Sequence, residues 1–491
     1  MRRNARLNLA DSLSGCAGLE GIQWLLLAPA PRRILRDQLK SLLSGRSMLG
    51  PCRLRRARFK PGRKLTAHYD ALVRNERSTA YCVRPVAVTW GADDKPNRGP
   101  AEHAVAEMQA EARRHGVAAP FERLSADLAH WSMHISVSPL DSHFPQLVRL
   151  MDPWYVAEML ATVYSASAPA STPALADRYA VISIRYRPGQ RHVLRYDRLD
   201  GAKTRVFAKL YRDEDGARTF RVATQAAEWL VQQAEGSTAV RPLVYVAEHG
   251  AVLYPALSGE PLTETFWRHG CGLGRWLGRA GTALRVLHLL SPSVAGPLPA
   301  HDFAAELGQT ARASDFIQAL LPSVGAAIDA LFDRARELYQ RLPQEPPTFT
   351  HGDFKSEHVW CGPYGLILLD FDSCHLGDPA LDIGKFLAHL QLWHVLNEQP
   401  GLEPARQAFL AGYAVGKSKE RLLRARLYEV VELVKITARR VPLFDPDWTS
   451  RTERMIERAH SMMCRLELMM GVPAAQARPS VSGKEHAAHA R

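Results

Sequence analysis

The chain has 491 residues, 46% apolar and 23% charged, with a formal net charge of +13 carried mostly by arginine. That balance excludes a disordered or fibrous chain, allows two or three domains with substantial cores, and favours anionic partners over a cationic substrate. The arginines are spread along the sequence without a nucleic-acid-binding motif, and seven scattered cysteines lacking a Cys-x-x-Cys pair indicate neither a disulfide framework nor a zinc site, which fits a reducing cytoplasm.

Residues 1–29 read as an N-terminal segment. Leu13-Ser-Gly-Cys16 matches a lipid-attachment motif, but Asn8 and Asp11 break the apolar stretch such a signal needs, so the match reads as chance. Trp24-Leu-Leu-Leu27 is too short to cross a bilayer, and no membrane partner is expected. Residues 30–165 read as a first α+β unit. Within it, Arg58-Phe-Lys-Pro-Gly-Arg-Lys-Leu-Thr-Ala-His-Tyr69-Asp70 reads as a β-hairpin. The proline sets the first corner of its turn and Gly62 supplies the positive φ of the second. Trp131 to Val137 alternates as a strand and runs into a turn. The Ser-, Ala- and Pro-rich stretch at 166–178 reads as a linker.

The hairpin then recurs. Arg185-Tyr-Arg-Pro-Gly-Gln-Arg-His-Val-Leu-Arg-Tyr196-Asp197 aligns with 58–70 residue for residue, which predicts a duplicated or mimicking half-lobe. In this second copy Val181–Tyr186 and Val193–Tyr196 are strands, Asp200-Gly201 is the next turn, and Thr204 to Tyr211 is a third strand. Lys209 interrupts that apolar strand, and a lysine pointing inward there needs a partner. Val252 to Leu257 is an apolar strand ending in a turn at Gly259. Leu277 to His288 carries apolar residues at helical spacing, with His288 as a packing or capping residue.

The densest chemistry lies between 351 and 382. His351-Gly-Asp353-Phe-Lys355-Ser-Glu-His358 precedes Leu366-Ile-Leu-Leu369, a short buried strand that delivers Asp370-Phe-Asp372. One aspartate on a loop and a second at the end of an apolar strand form the pair that phosphoryl transfer uses. One carboxylate orients the attacking hydroxyl and accepts its proton, and the other holds the metal that bridges the phosphates. Beyond it, Leu402 to Met470 reads as several amphipathic helices. Arg439-Arg440 and Asp445-Pro-Asp447-Trp448 lie among them, as solvated surface or as pocket residues. The Ala-, Pro-, Ser- and His-rich tail, 472–491, reads as disordered.

These blocks resemble the aminoglycoside phosphotransferase/choline kinase family, the small-molecule branch of the protein-kinase-like fold. His351-Gly352-Asp353 is similar to its His-Gly-Asp catalytic loop, and Leu369 to Asp372 to its Ile-Asp-Phe-Asp block. Gly377-Asp378-Pro-Ala-Leu-Asp382-Ile-Gly384 is similar to its Gly-Asp-Pro-x-x-Asp-Leu-Ala signature. The resemblance implies an α+β, bilobal fold with a small antiparallel β N-lobe at 179–258 and a mainly helical C-lobe at 259–471. Residues 30–165 would cap it, as in maltokinase-like relatives. The implied cofactors are ATP and Mg2+, and the implied acceptor is a small-molecule hydroxyl.

The same resemblance implies roles. Asp353 is the catalytic base, and Lys355 either neutralises the transferring phosphate or is a solvated loop lysine. Asp370 holds the metal and Asp372 assists. Lys209, in a strand like Val-Ala-Ile-Lys, reaches the α- and β-phosphates and pairs with Glu228 on the following helix. Gly189, flanked by Arg187 and Arg191, lies over the phosphates. Val252 to Gly259 is the hinge against adenine. His351 and Asp382 brace the loop, and Asp378 hydrogen-bonds backbone in its turn. His358 departs from the family, which places Asn there for a second magnesium. A neutral imidazole suits softer ions, so His358 is an unusual ligand or phosphate contact, or the site uses one metal, or the enzyme is impaired. The expected function is an ATP-dependent phosphotransferase, with a sugar or glycan as the first acceptor class. The alternatives are an antibiotic kinase, which the basic charge disfavours, and a pseudokinase-like nucleotide-binding module without turnover.

Overall fold

The computed structural model describes residues 8–472 apart from 77–78, 92–99, 168–177, 201–204, 235 and 267–271. Most of the expected linker, part of the turn at Gly201 and the tail from 473 lie outside the described residues.

Three helices lead in, Leu9–Ser14, Gly18–Leu27 and Pro29–Leu42. The third buries Leu35, Leu39 and Leu42, an apolar stripe at helical spacing. A five-stranded antiparallel sheet follows, built from Met48–Lys60, Lys64–Arg74, Cys82–Gly91, Ser125–Leu128 and Met133–Val137. In sequence order its strands lie 1-2-3-5-4. The helix Pro100–Arg114 joins the third to the fourth. Its second strand alternates strictly: Leu65, Ala67, Tyr69, Ala71 and Val73 are buried while their neighbours are not, so one face meets the core.

A second five-stranded antiparallel sheet consists of Tyr179–Arg187, Arg191–Arg198, Arg205–Leu210, Val244–Val246 and Ala251–Pro255. It has the same order, and the helix Asp215–Gln233 falls in the same place. Helices then dominate. Leu273–Leu287, Phe303–Leu320, Pro322–Arg341, Ala380–Leu396, Leu402–Tyr413, Lys419–Arg440 and Trp448–Met469 form the second lobe. Ala380–Leu396 is buried on nearly every side, polar residues included, which makes it the central helix of that lobe. This is the α+β, two-lobed layout with a preceding cap that the resemblance implies.

The cap and the helices before it touch both lobes. Asp141 accepts hydrogen bonds from the Gly189 amide (2.8 Å) and His192 (2.7 Å) of the second sheet. Gln23 donates to the carbonyls of Leu443 (3.2 Å) and Asp445 (3.0 Å) in the helical lobe. Among the described residues no helix is long and apolar enough to cross a membrane.

Candidate active site

Two small sheets bring the chemical blocks together. Val359–Gly362 and Gly365–Leu368 form a hairpin whose second strand runs parallel to Ser237–Ala239. It delivers Asp370 from the helical lobe toward the second sheet. Thr348–Thr350 pairs antiparallel with His375–Gly377, which lays the 351–358 loop against 370–373. The approach is close enough to require glycine. Gly352 has φ +74°, and a Cβ there would meet the Ser373 carbonyl oxygen at 2.1 Å. Asp370 itself has φ +67°, a left-handed conformation that aspartate tolerates and that turns its carboxylate out of the strand line.

Asp353, on the 351–358 loop, is held from several sides. Lys355 Nζ donates to Asp353 Oδ2 at 2.6 Å. Burial pushes the Asp353 carboxyl up, but Lys355 first, then His358 and Lys385, outweigh it and leave it well below the usual carboxylate range. Behind the loop, Asp382 accepts the amides of His351 (2.7 Å) and Gly352 (2.8 Å) and contacts His288 Nε2 at 3.1 Å. His351 Nε2 donates to the Leu369 carbonyl at 2.9 Å. His351 and Asp382 thus tie the catalytic loop to its surroundings, and His288 packs behind them. Asp378 accepts the Ala380 amide at 3.0 Å and also Arg424 at 2.8 Å.

Lys385, which the sequence reading passed over, donates to the Gly352 carbonyl at 2.7 Å. It stands in a buried chain of charge with Glu432, Lys435 and Glu306. A lysine interrupting the apolar run from Leu381 to Leu390 was the available signal.

Lys209 does not pair with Glu228. Its Nζ lies 2.6 Å from Asp370 and 2.5 Å from Asp372, while Glu228 meets Arg241 at 3.2 Å on the helix's outer side. The inward face of Asp215–Gln233 carries Thr219, Val222, Ala223, Ala226, Ala227 and Leu230, and Glu228 is out of phase with it. Arg191 NH2 also reaches Asp372 at 2.8 Å, and Tyr211 donates its hydroxyl to the same carboxylate at 2.8 Å. Against burial, Lys209 above all holds the Asp370 carboxyl well below its usual range. Burial and then the charge of Asp370 push Asp372 up. Gly189 keeps the positive φ expected of the turn, at +70°, but its amide is committed to Asp141 and does not point to an open phosphate position. Arg187 lines the adjoining cavity without touching the aspartates.

His358 bridges the two aspartates. Its Nδ1 faces the Asp353 backbone carbonyl at 3.0 Å, so Nδ1 carries the proton. Burial, foremost, pushes its pKa down to about 4, which leaves the ring neutral. Its Nε2 lone pair therefore faces Asp370 Oδ2, another acceptor, at 3.2 Å. Adjacent oxygen or nitrogen donors around a divalent ion at ~2.1 Å sit about 3 Å apart. Asp353, His358 and Asp370 each offer a ligand atom, all within 4.8 Å of one another. The donor set fits a divalent cation, with the imidazole favouring ions softer than magnesium more than an all-oxygen site would.

The aspartates, His358 and Lys355 line a cavity of about 1260 Å³ that opens between the cap hairpin, the second-sheet hairpin and the helical lobe. Arg439 and Arg440 also line it, whereas Asp445, Asp447 and Trp448 do not.

The model of the phosphotransferase enzyme family matches residues 183–428, half of the chain. No curated protein matches the chain. Among solved structures, the GDP complex of an aminoglycoside 2′-phosphotransferase-IIIa is 14% identical, covering 62% of this chain and 98% of that one with a TM-score of 0.42. A spectinomycin phosphotransferase in complex with ADP and spectinomycin is 17% identical (61% and 91% covered, TM-score 0.39). A choline/ethanolamine kinase family protein from Mesorhizobium loti is 15% identical (63% and 94% covered, TM-score 0.40).

Proposed function

The chain belongs to the phosphotransferase enzyme family and is a small-molecule kinase; on that premise we propose that it transfers the γ-phosphate of ATP to a hydroxyl group, with a sugar or glycan as the first acceptor class to test. The observation that carries this reading is the convergence of three elements: Lys209 lies 2.6 Å from Asp370, and His358 lies 3.2 Å from Asp370 and 3.5 Å from Asp353.

In this mechanism Asp353 orients the acceptor hydroxyl and takes its proton as the oxygen bonds to the γ-phosphorus and ADP leaves. A carboxylate held as low as this one is a weak base. That suits a loose transition state, in which the proton moves late and positioning matters most. Lys355, against the same carboxylate, is placed to neutralise charge on the transferring group. Lys209 and Arg191 turn from Asp370 to the phosphates and keep Asp372 as the carboxylate that orients them. Asp370 and His358 would hold a divalent cation, whose chemistry is to neutralise the phosphate oxygens.

The test is ADP release with magnesium or manganese across sugars, amino sugars, choline-like alcohols and nucleosides. Asp353→Asn is expected to lower kcat about a thousandfold. Unchanged turnover in that variant removes Asp353 as the base. His358 in the asparagine position favours a second reading, a nucleotide-binding module without turnover. A nucleotide-dependent rise in Tm with no ADP release from any acceptor supports that reading instead.

A further inference from the structure

The cavity beside Asp353 holds more positive charge than Lys209 and Arg191 alone bring to a triphosphate. Arg56 and Arg58 reach it from the first cap strand, Arg185 and Arg187 from the first strand of the second sheet, and Arg439 and Arg440 from the end of Lys419–Arg440. Arg440 meets Glu357 at 2.8 Å. Among the described residues the others make no ion pair, although carboxylates, Asp370 and Asp372 among them, line the same cavity.

The guanidiniums act on one another. Burial, then Arg58, Arg440 and Arg185, lowers Arg56. Burial, then Arg56 and Arg185, pushes Arg187 down to about 9. Arginine keeps its proton in proteins, so this depression expresses first the burial of the charges and then their mutual repulsion. The set is also continuous with the catalytic carboxylates, because Arg185 is influenced by Asp370 and Asp372 as well as by Arg191 and Arg440. The cationic side chains lining the cavity outnumber its carboxylates, and an anion bound there would supply counter-charge to like charges brought together from three separate elements.

We propose that the accepting hydroxyl belongs to a compound that already carries a phosphate, and that Arg56, Arg58, Arg185, Arg187 and Arg439 grip that phosphate while Asp353 meets the hydroxyl. The proposal rests on the phosphotransferase reading and names the substrate class of the same site. Guanidinium forks match phosphate oxygens two at a time. The nucleotide's own phosphates are the other source of this chemistry, but Lys209 and Arg191 stand closest to the metal-site aspartates and suffice for them. A polycationic acceptor would meet net repulsion, because the cationic side chains lining the cavity outnumber its carboxylates. The cap gains a task from this assignment: through Arg56 and Arg58 it selects the acceptor.

Two arms test it. In the first, protein saturated with a non-hydrolysable ATP analogue and magnesium is titrated calorimetrically with inorganic phosphate. Binding is expected, weakened about tenfold or more in Arg56→Ala/Arg58→Ala and partly restored in Arg56→Lys/Arg58→Lys. The analogue's own affinity should change less than about twofold, because those arginines lie away from its phosphates. Absence of phosphate binding to the loaded protein, or an equal loss of analogue affinity, assigns the arginines to the triphosphate and overturns the proposal. In the second arm, glucose, glycerol and kanamycin are compared with glucose 6-phosphate and glycerol 3-phosphate as acceptors. A kcat/KM higher by about a hundredfold for the phosphorylated members is expected. Better turnover of a neutral or cationic acceptor overturns the proposal. ADP release from none of them counts against the phosphotransferase reading, while the binding arm still decides the anion site.

Discussion

The first and second sheets are two copies of one scaffold. Both run 1-2-3-5-4, both insert a helix after the third strand, and both join the fourth and fifth strands through a short 3-10 turn closed by a residue at positive φ, Ser132 or Gly250. The register agrees as well. Aligning the hairpins at Arg58 and Arg185 carries Thr66 onto Val193, and their partners on the third strand are Thr89 and Lys209. One strand further, Thr89 faces His134 and Lys209 faces Val252. The cap therefore keeps the alternation, the turn and the pairing but has threonine where the second sheet has the lysine that meets Asp370 and Asp372. The difference separates two kinds of information. Strand pairing follows from period-two burial and turn residues, whereas chemistry depends on one position facing one carboxylate.

The largest effect should come from erasing that difference. Lys209→Thr makes the second sheet resemble the cap at this position. It leaves Asp370 and Asp372 facing each other with Arg191 alone, and kcat/KM for ADP release is expected to fall about a hundred- to a thousandfold. Retained turnover would remove Lys209 from the site. Thr89→Lys, the reverse change, should restore nothing in that background, because Asp370 and Asp372 lie against the second sheet. Next in size is Asp141→Asn, which breaks the joint between the two copies. Asp141 accepts from Gly189, His143 and His192, and an amide would turn a donor toward one of them. A loss of about 2–3 kcal/mol in urea unfolding at pH 7 is expected. The His192 and backbone hydrogen bonds outweigh burial and depress this carboxyl, so its contribution is present above the ordinary aspartate pKa and disappears as pH falls through the lowered value. Unfolding curves identical to wild type at pH 7 would show the joint to be dispensable.

The blocks of the candidate site were legible in the sequence because each is contiguous and built of residue types that phosphoryl transfer uses. The hairpin repeat was legible because Pro-Gly fixes a turn whatever surrounds it. What escaped was long-range. Asp141 becomes a partner of Gly189 only after two sheets dock, and Ala380–Leu396 is buried on so many sides that it lacks the polar stripe that marks a surface helix. Arg439 and Arg440 could be read as solvated surface until the cap was seen to enclose them with Arg56 and Arg58.

A smaller effect distinguishes the hairpins themselves. Arg195 of the second copy corresponds to His68 of the cap, which sits opposite Arg56. Burial, then Arg187 and Arg56, pushes the His68 pKa down to about 4. Between pH 6.5 and 4 the unfolded chain binds a proton that the folded chain refuses, so stability falls as pH is lowered through that window and is constant above it. His68→Gln should flatten this dependence relative to wild type by on the order of 1–3 kcal/mol over the window. An unchanged slope would mean that His68 titrates normally.

The smallest expected effect falls on the residue that kinase likeness singles out most strongly. Glu228 lies on the helix after the lysine strand, where a partner for Lys209 would be sought. The helix is rotated so that alanines and Thr219 face inward, and Glu228 pairs with Arg241 in a half-exposed contact. Exposed ion pairs contribute about 0–1 kcal/mol. Glu228→Gln should therefore change unfolding free energy by less than about 0.5 kcal/mol and leave ADP release within about twofold. In the proposed mechanism Asp372, already 2.5 Å from Lys209, takes the orienting role that an αC glutamate would have. A tenfold loss of kcat in Glu228→Gln would mean that the helix turns in the working enzyme and that Lys209 changes partner from Asp372 to Glu228. The same loss in Asp372→Asn with Glu228→Gln silent would fix the lysine's partner on the metal loop.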